Sequence, residues 1–167
     1  MARSERTGAS AAAWLVAQVG AHAAAEFARR LAPTGLSPAH AGILRTLAQS
    51  DGASQQALAA HLAILPSRLV SLVDELEKRG LVERRQSATD RRTHALHLTV
   101  GGREMLSTIG RLAREHQDAL CAALTAEERE TLAALLRRIA DQQGLTAGVH
   151  PGYRTLGRRS RTGEPAD

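Results

Sequence analysis

The stretch LVERRQSATDRRTHALHLT, residues 81–99, decides the fold of this chain. Two short runs with strand-like spacing bracket a polar tip, so the segment predicts a β-hairpin in which Leu96 and Leu98 alternate with Ala95 and His97. Within the nine positions 84–92 of this hairpin lie four arginines and a single acid: Arg84, Arg85, Asp90, Arg91 and Arg92. A solvated turn needs far less charge for solubility. The surplus therefore indicates that the hairpin meets a negatively charged partner.

Three helices are predicted ahead of the hairpin. Ser37 is placed to cap the first, with Pro38 as its first helical residue, and Ser54 is placed to cap the second. The third begins at Pro66 and ends at Gly80. Its apolar residues have the i, i+3, i+4, i+7 spacing of one buried stripe: Leu69, Leu72, Val73 and Leu76.

Two short helices, a turn, a longer helix and a hairpin are the order of a winged helix-turn-helix. The buried stripe of the third helix leaves Ser67, Arg68 and Ser71 on its free face near the N-terminus. Such a helix fits the major groove, where Arg68 could donate to guanine and the serines could contact bases or phosphates. The hairpin would then place an arginine in the adjacent minor groove. Double-stranded DNA is the predicted partner.

Composition agrees with one mainly α-helical domain. The chain has 167 residues, of which 43% are hydrophobic and only 2% aromatic, so Ala, Leu and Val must build the core. The formal net charge of +5 suits a polyanionic partner. The single cysteine, Cys121, excludes a disulfide framework and fits a reducing compartment. The sequence contains no nucleophile–base constellation, phosphate loop or metal motif, so we predict no enzyme, catalytic residue or cofactor.

Helices are also predicted on both sides of these elements. One runs from about Ser10, with Pro33 and Gly35 at its end, and a long one begins with Thr99 as its cap. The last starts at a capping box of Thr125 and Glu128. Together they carry more apolar surface than one lobe would cover. The apolar residues are Trp14, Leu15, Val19, Phe27, Leu132, Leu135, Leu136 and Ile139.

The run LVDELEKRGLVERRQSATDRRTHALHLT, residues 72–99, closely resembles the MarR family of bacterial transcriptional regulators, and the similarity extends over about residues 37–142. The family's wing carries an Asp-x-Arg pattern, matched here by Asp90 and Arg92. The resemblance implies that Arg92 enters the minor groove, that Asp90 steadies the wing, and that Arg84 and Arg85 contact phosphates. One departure concerns Leu65, which stands where relatives have a polar cap before the recognition helix. The missing cap puts base specificity in more doubt than binding.

The resemblance also implies a homodimer that reads a pseudopalindrome with half-sites about 10 bp apart. We expect residues 1–9 to be a flexible N-terminus, 10–145 a single MarR-like domain and 146–167 a flexible basic tail. Within the domain, 10–35 and 100–143 are the dimerisation helices, and 37–99 is the winged-helix lobe. Many relatives bind small aromatic or phenolic effectors in a cleft. The candidates here are Trp14, His22, Phe27 and His40, although so few aromatics argue against a rich stacking pocket.

Several alternatives stay open at this point. The chain is either a ligand-released, sequence-specific repressor or a winged-helix module that binds DNA non-specifically or binds protein. Cys121, without a nearby cation, fits a small core residue better than a redox sensor. The tail arginines Arg158, Arg159 and Arg161 fit a solvated end better than phosphate contacts. Residues 1–26 imitate a secretory signal only in part, and no apolar run would span a membrane, so we expect a cytoplasmic protein.

Overall fold

In the computed structural model, residues 5–86, 94–150 and 153 are described, with side chains from residue 11 onward, and they form six α-helices and three short strands. The helices are α1 (Glu5–Leu31), α2 (Pro38–Gln49), α3 (Gln55–Leu62), α4 (Pro66–Lys78), α5 (Val100–Leu120) and α6 (Ala126–Gln142). The strands are β1 (Ala53–Ser54), β2 (Val82–Gln86) and β3 (His94–Leu98). A 3-10 turn, Ala32–Thr34, joins α1 to α2. The prediction of a mainly α-helical winged helix-turn-helix is confirmed.

The strands form an antiparallel sheet in the order β1-β3-β2. Arg84 lies opposite Leu96 and Arg85 opposite Ala95, so these neighbouring arginines point to opposite faces of the sheet. On the other edge Ala53 pairs with Leu96. Strand β1 could not be predicted, because two residues are too few to show a period of two. Leu96, fully buried, joins the sheet to the leucine core of α2, α3 and α4.

The predicted helix starts inside the lobe are confirmed. The hydroxyl of Ser37 accepts from the backbone N–H of His40, with Pro38 as the first helical residue, and the hydroxyl of Ser54 accepts from Ala57 N. On α4 the predicted stripe is buried as a set: Leu69, Leu72, Val73 and Leu76. Leu65 supplies no side-chain cap to α4, as its apolar side chain requires.

The first helix begins earlier than predicted. Its backbone is helical from Glu5 rather than from the predicted start at about Ser10. A hydroxyl caps a helix only where the backbone around it leaves the helical conformation. The turn before Ser10 is already helical, so that residue continues the helix instead of starting it. The helix ends as predicted, with Gly35 left-handed at φ 69° after the 3-10 turn.

The glycine pair at the start of α5 has a packing role that spacing did not reveal. Thr99 caps the helix by accepting from Gly102 N at 2.9 Å, as predicted. A Cβ on Gly102 would lie 2.0 Å from the carbonyl oxygen of Leu81, whereas one on Gly101 would meet nothing closer than 3.4 Å. Glycine at 102 therefore allows α5 to pass directly over the entry to β2.

The apolar faces of the outer helices are open to solvent in the single chain. Trp14, Leu15 and Val19 are exposed on α1, and α6 has no buried residue at all. The exposed residues on α6 are Leu132, Leu135, Leu136 and Ile139. Among the described residues no single helix is long and apolar enough to cross a bilayer. The pair α3 and α4, bent by 112°, meets that test together by length and composition only.

The segment after α6 returns to the domain, which corrects the expectation of a flexible tail from residue 146. Val149 N donates to Thr146 O, and Tyr153 N donates to His150 O. Tyr153 is only 7% exposed and belongs to the core cluster, with Val149 packed against it. Two apolar residues in a polar stretch produce no helical or strand period, so the sequence pattern could not find them. The arginines expected in the tail, Arg158, Arg159 and Arg161, lie outside the described residues.

Candidate nucleic-acid interface

The N-terminal half of α4 presents the predicted contact residues. Ser67 and Ser71 are exposed, and Arg68 is half-buried between them and the lobe. The Ser71 hydroxyl donates to the carbonyl oxygen of Ser67 at 3.3 Å, which leaves its oxygen able to accept from a base or another donor. Ser67 and Ser71 therefore lie on the side of α4 opposite its buried stripe, and Arg68 lies at the flank between the two.

The turn between α3 and α4 holds the two helices at a steep angle. Ala63 adopts a left-handed conformation at φ 51°, and the turn is closed by a bond from Ile64 N to Ala59 O at 3.0 Å. Left-handed backbone disfavours residues with a Cβ, so this turn is strained by about 1 kcal/mol. The strain is local. Burial of Ile64 and Leu62 on either side of the turn offsets it.

Arg84 is engaged inside the protein, which differs from its predicted role at a phosphate. Its guanidinium bonds to Asp74 Oδ1 at 2.5 Å and to the carboxylate of Glu77, both on α4. The Arg84 side chain is only 19% exposed. Burial disfavours its charge, but the hydrogen bonds to Asp74 and Glu77 outweigh burial and raise the pKa of Arg84. Arg84 therefore fastens the wing strand to the recognition helix.

Arg85 occupies the other face of β2 and remains a candidate phosphate contact. Its side chain is exposed, and its guanidinium lies 2.5 Å from the Glu83 carboxylate. Exposed pairs of this kind are weak, so the arginine can exchange one oxyanion for another. The other predicted wing residues, Asp90, Arg91 and Arg92, lie outside the described residues.

Two contacts hold α4 against the preceding helices. Arg79 donates to the carbonyl oxygens of Gly35 at 2.7 Å and Thr34 at 2.5 Å, which ties the end of α4 to the connection between α1 and α2. At the other contact, His40 Nε2 lies 3.2 Å from Glu75 Oε2 without hydrogen-bond alignment. The orientation of α4 thus depends on the junction where α1 ends.

His40 is a structural residue of α2. Its Nδ1 accepts from the backbone N–H of Ser37 at 3.1 Å and completes a capping box. Burial lowers the pKa of His40; the Glu75 carboxylate opposes that shift, and the charges of Arg79 and Arg68 add to it. The neutral ring is therefore favoured in the folded protein. Histidine three residues after a serine cap could have suggested this role, but capping boxes normally use Glu or Gln there.

The structure adds contact candidates that sequence reasoning missed. Gln55 and Gln56, in the first turn of α3, line a shallow groove with Pro66 and Val70 of α4. Leu65 borders the same region and is 72% exposed. Amide side chains read base edges and phosphates, and apolar ones contact thymine methyl groups. The sequence could have indicated these contacts, because Gln55 and Gln56 follow a predicted helix cap and a helix N-terminus directs its backbone N–H groups at anions.

The four predicted effector residues do not form one site. Trp14 is 62% exposed on α1, and His40 is committed to its cap. His22 lines a small cavity of about 150 Å³ with Glu26, Arg30 and His116. Of the four, only Phe27 lines the apolar cleft beside α2, and Tyr153 lies in the same cleft. Trp14, His22 and Phe27 share α1 but lie at different helical phases, and His40 lies on α2.

Neither Cys121 nor the histidines form a reactive or metal-binding cluster in the described part of the chain. Cys121 is half-buried at the C-terminal end of α5, where its backbone N–H bonds to Gln117 O. Within the described ranges, no three His, Cys, Asp or Glu side chains converge as metal ligands do.

The chain is similar in sequence and in structure to known proteins of one family. Residues 34–93 match a model of the MarR family. A candidate transcriptional regulatory protein for the hcr operon of Thauera aromatica is 37% identical over 122 residues, covering 72% of this chain and 74% of the relative. The repressor CouR, solved with a 23-mer DNA duplex, is 34% identical with a TM-score of 0.69, covering 77% of this chain and 91% of CouR. A MarR-family protein of Mycobacterium tuberculosis in complex with DNA is 28% identical with a TM-score of 0.68, covering 76% and 95%.

Proposed function

The chain belongs to the MarR family of transcriptional regulators, and from that premise we propose that it is a cytoplasmic, ligand-responsive homodimeric repressor. Members of this family are transcriptional regulators and not enzymes. In the proposed complex α4 enters the major groove of a pseudopalindromic operator, and Arg92 of the wing enters the minor groove. Asp90 steadies the wing tip, and Arg91 adds a phosphate contact.

The observation that carries the proposal is the exposed N-terminal half of α4 beside the arginine-bearing edge of the sheet. Ser67, Arg68 and Ser71 share one face there, and Arg85 projects from β2. Arg84 is left out of the proposed contacts, because Asp74 and Glu77 already engage it. Two relatives of this fold have been solved with DNA, which supports the same use of the surface here.

The homodimer is proposed from the uncovered outer helices. Helix α6 carries Leu132, Leu135, Leu136 and Ile139, yet none of its residues is buried in the single chain. An amphipathic helix that buries nothing within its own chain needs a partner surface. The exposed residues of α1 offer one, and a two-fold axis would bring both helices of each protomer together.

A random-library operator selection, followed by titration of the selected and scrambled duplexes at fixed salt, tests the proposal. Sequence-specific regulators prefer their sites by about a thousandfold or more, and a preference below about tenfold would contradict specific regulation. Arg92→Ala should weaken binding to most duplexes, whereas Arg68→Ala should relax preference at one position by about 1–3 kcal/mol. If both variants bind the selected operator like the wild type, the contact assignment is wrong.

A second function, non-specific binding by an architectural winged-helix module, is favoured by one observation. Leu65 gives α4 no side-chain cap, and a missing cap costs a helix end about 1 kcal/mol. A frayed N-terminus would read bases poorly while the arginines still attracted phosphates. Leu65→Ser supplies the cap, and a variant with markedly greater operator preference would identify fraying as the limit on specificity.

A further inference from the structure

A tyrosine from beyond α6 fills the cleft beside α2. We name residues 146–150 and Tyr153 the return segment. The ring of Tyr153 lies against Gly42, so closely that a Cβ there would be 2.8 Å from ring carbon Cε2 and 2.9 Å from Cζ. The absence of a side chain at position 42 is therefore what makes room for the ring on the buried face of α2.

The same ring borders two cavities. One, of about 290 Å³, lies between α1, the start of α2 and the return segment; the other, of about 370 Å³, lies between α2 and α5. Phe27, Arg45 and Tyr153 line both. The Tyr153 ring is therefore one of three side chains in the wall that the two cavities share. Moving the ring away would enlarge the space on both sides of that wall.

We propose that the return segment is a built-in occupant of this cleft, and that a small aromatic anion binds by displacing the ring of Tyr153. The inference rests on the ligand response proposed above and specifies how it is regulated. Phe27 and the apolar walls suit an aromatic ring. Arg45 lines both cavities and is a ready partner for a carboxylate, because its guanidinium forms paired bonds with that group.

The contacts of Arg45 link ligand binding to the return segment. Gly148 is left-handed at φ 73°, and a Cβ there would lie 3.3 Å from Arg45 Nη2. The backbone of the return segment therefore passes directly over this guanidinium. A carboxylate that takes Arg45 as its partner competes for space with the segment as well as with the ring. Ligand and return segment cannot both occupy the site.

Competition of this kind lowers apparent affinity by the fraction of molecules in which the cleft is open. If the ring occupies the cleft in about nine molecules of ten, its removal should tighten ligand binding about tenfold. Benzoate is the probe, and benzylamine, of equal size and opposite charge, is its control. Tyr153→Ala should bind benzoate about tenfold more tightly than the wild type, while Tyr153→Phe, which keeps the ring, should match the wild type.

A fluorine label makes the displacement visible, because Tyr153 is the only tyrosine in the chain. With 3-fluorotyrosine the full-length protein should give a buried fluorine resonance that moves to the solvent-exposed position as benzoate is added. Gly42→Ala should move it without ligand, since the new methyl takes the place of the ring. Alanine favours the helical backbone more than glycine does, so this variant should keep α2 intact.

Equal benzoate affinity in the wild type and Tyr153→Ala, including no measurable binding by either, would overturn the inference. So would a fluorine resonance that Gly42→Ala leaves unchanged, or binding of benzylamine equal to that of benzoate. Duplex titrations on the same samples separate this result from the proposed function. If only the displacement of Tyr153 is wrong, the wild type still binds its operator. If the wild type binds no duplex, the proposed regulatory function is wrong, whatever the benzoate titrations show.

Discussion

Replacing Arg84 with methionine should separate support of the wing from contact with DNA. Methionine keeps most of the length and apolar surface of the side chain but removes its bonds to Asp74 and Glu77. Both carboxylates are more than a third exposed and can be hydrated again once the arginine is gone. Losing each ion pair should therefore lower stability by an amount near the upper end of the range for exposed ion pairs. We expect the free energy of unfolding to fall by about 1–2 kcal/mol, which lowers Tm by about 2–8 °C.

The matched control is Arg85→Met on the next residue of the same strand. Its side chain is exposed, so stability should change by less than about 0.5 kcal/mol. DNA titrations over a range of salt then distinguish the two arginines. A lost phosphate contact reduces the slope of log affinity against log salt by about 0.9. Arg85→Met should reduce the slope, while Arg84→Met should weaken binding at an unchanged slope.

The opposite pattern would refute this reasoning. If Arg84→Met is as stable as the wild type and reduces the salt slope, the guanidinium leaves its carboxylates to contact phosphate. Thermal unfolding and fluorescence anisotropy on one operator duplex supply both measurements. The Asp74→Asn variant gives an independent check, because it removes one negative charge beside Arg84 and leaves every arginine in place.

Three further predictions concern stability. Gly102→Ala should lower the free energy of unfolding by about 3 kcal/mol, because the new methyl overlaps a backbone oxygen. Gly101→Ala should raise the free energy of unfolding by up to about 1 kcal/mol. Equal stability of the two variants in denaturant unfolding would contradict this packing. Ala63→Gly should stabilise by about 0.5–1 kcal/mol by relieving the left-handed strain, and a destabilised variant in the same assay would show that no strain exists. Burial lowers the pKa of His40 below 6.5 in the folded state, so on acidification the unfolded chain binds the proton at a higher pH than the folded protein does. The stability that the neutral His40 ring contributes is therefore lost as pH falls below about 6.5. His40→Gln should reduce the loss of stability on acidification without abolishing it, because burial also lowers the pKa of His116. If the dependence of stability on pH does not change in this variant, His40 has no such role.

Features that depend on neighbours in the chain were predictable. Ser37, Ser54, Thr99 and Thr125 cap their helices as expected, because each cap bonds to a backbone N–H within three residues. The buried stripe of α4 followed equally directly from helical spacing, and with it the free face that carries Arg68.

Features that depend on residues far apart in the chain were decided by tertiary structure. The sequence by itself determined the order of elements, their caps and the charge of the wing, since these are set over a few residues. It could not show that Arg84 reaches back to Asp74, because an arginine on a strand looks the same whether it meets a carboxylate or a phosphate. Nor could it place Tyr153 against Gly42, more than a hundred residues earlier. Only packing brings such groups together, because each contact depends on the position and angle of whole elements and not on a local period.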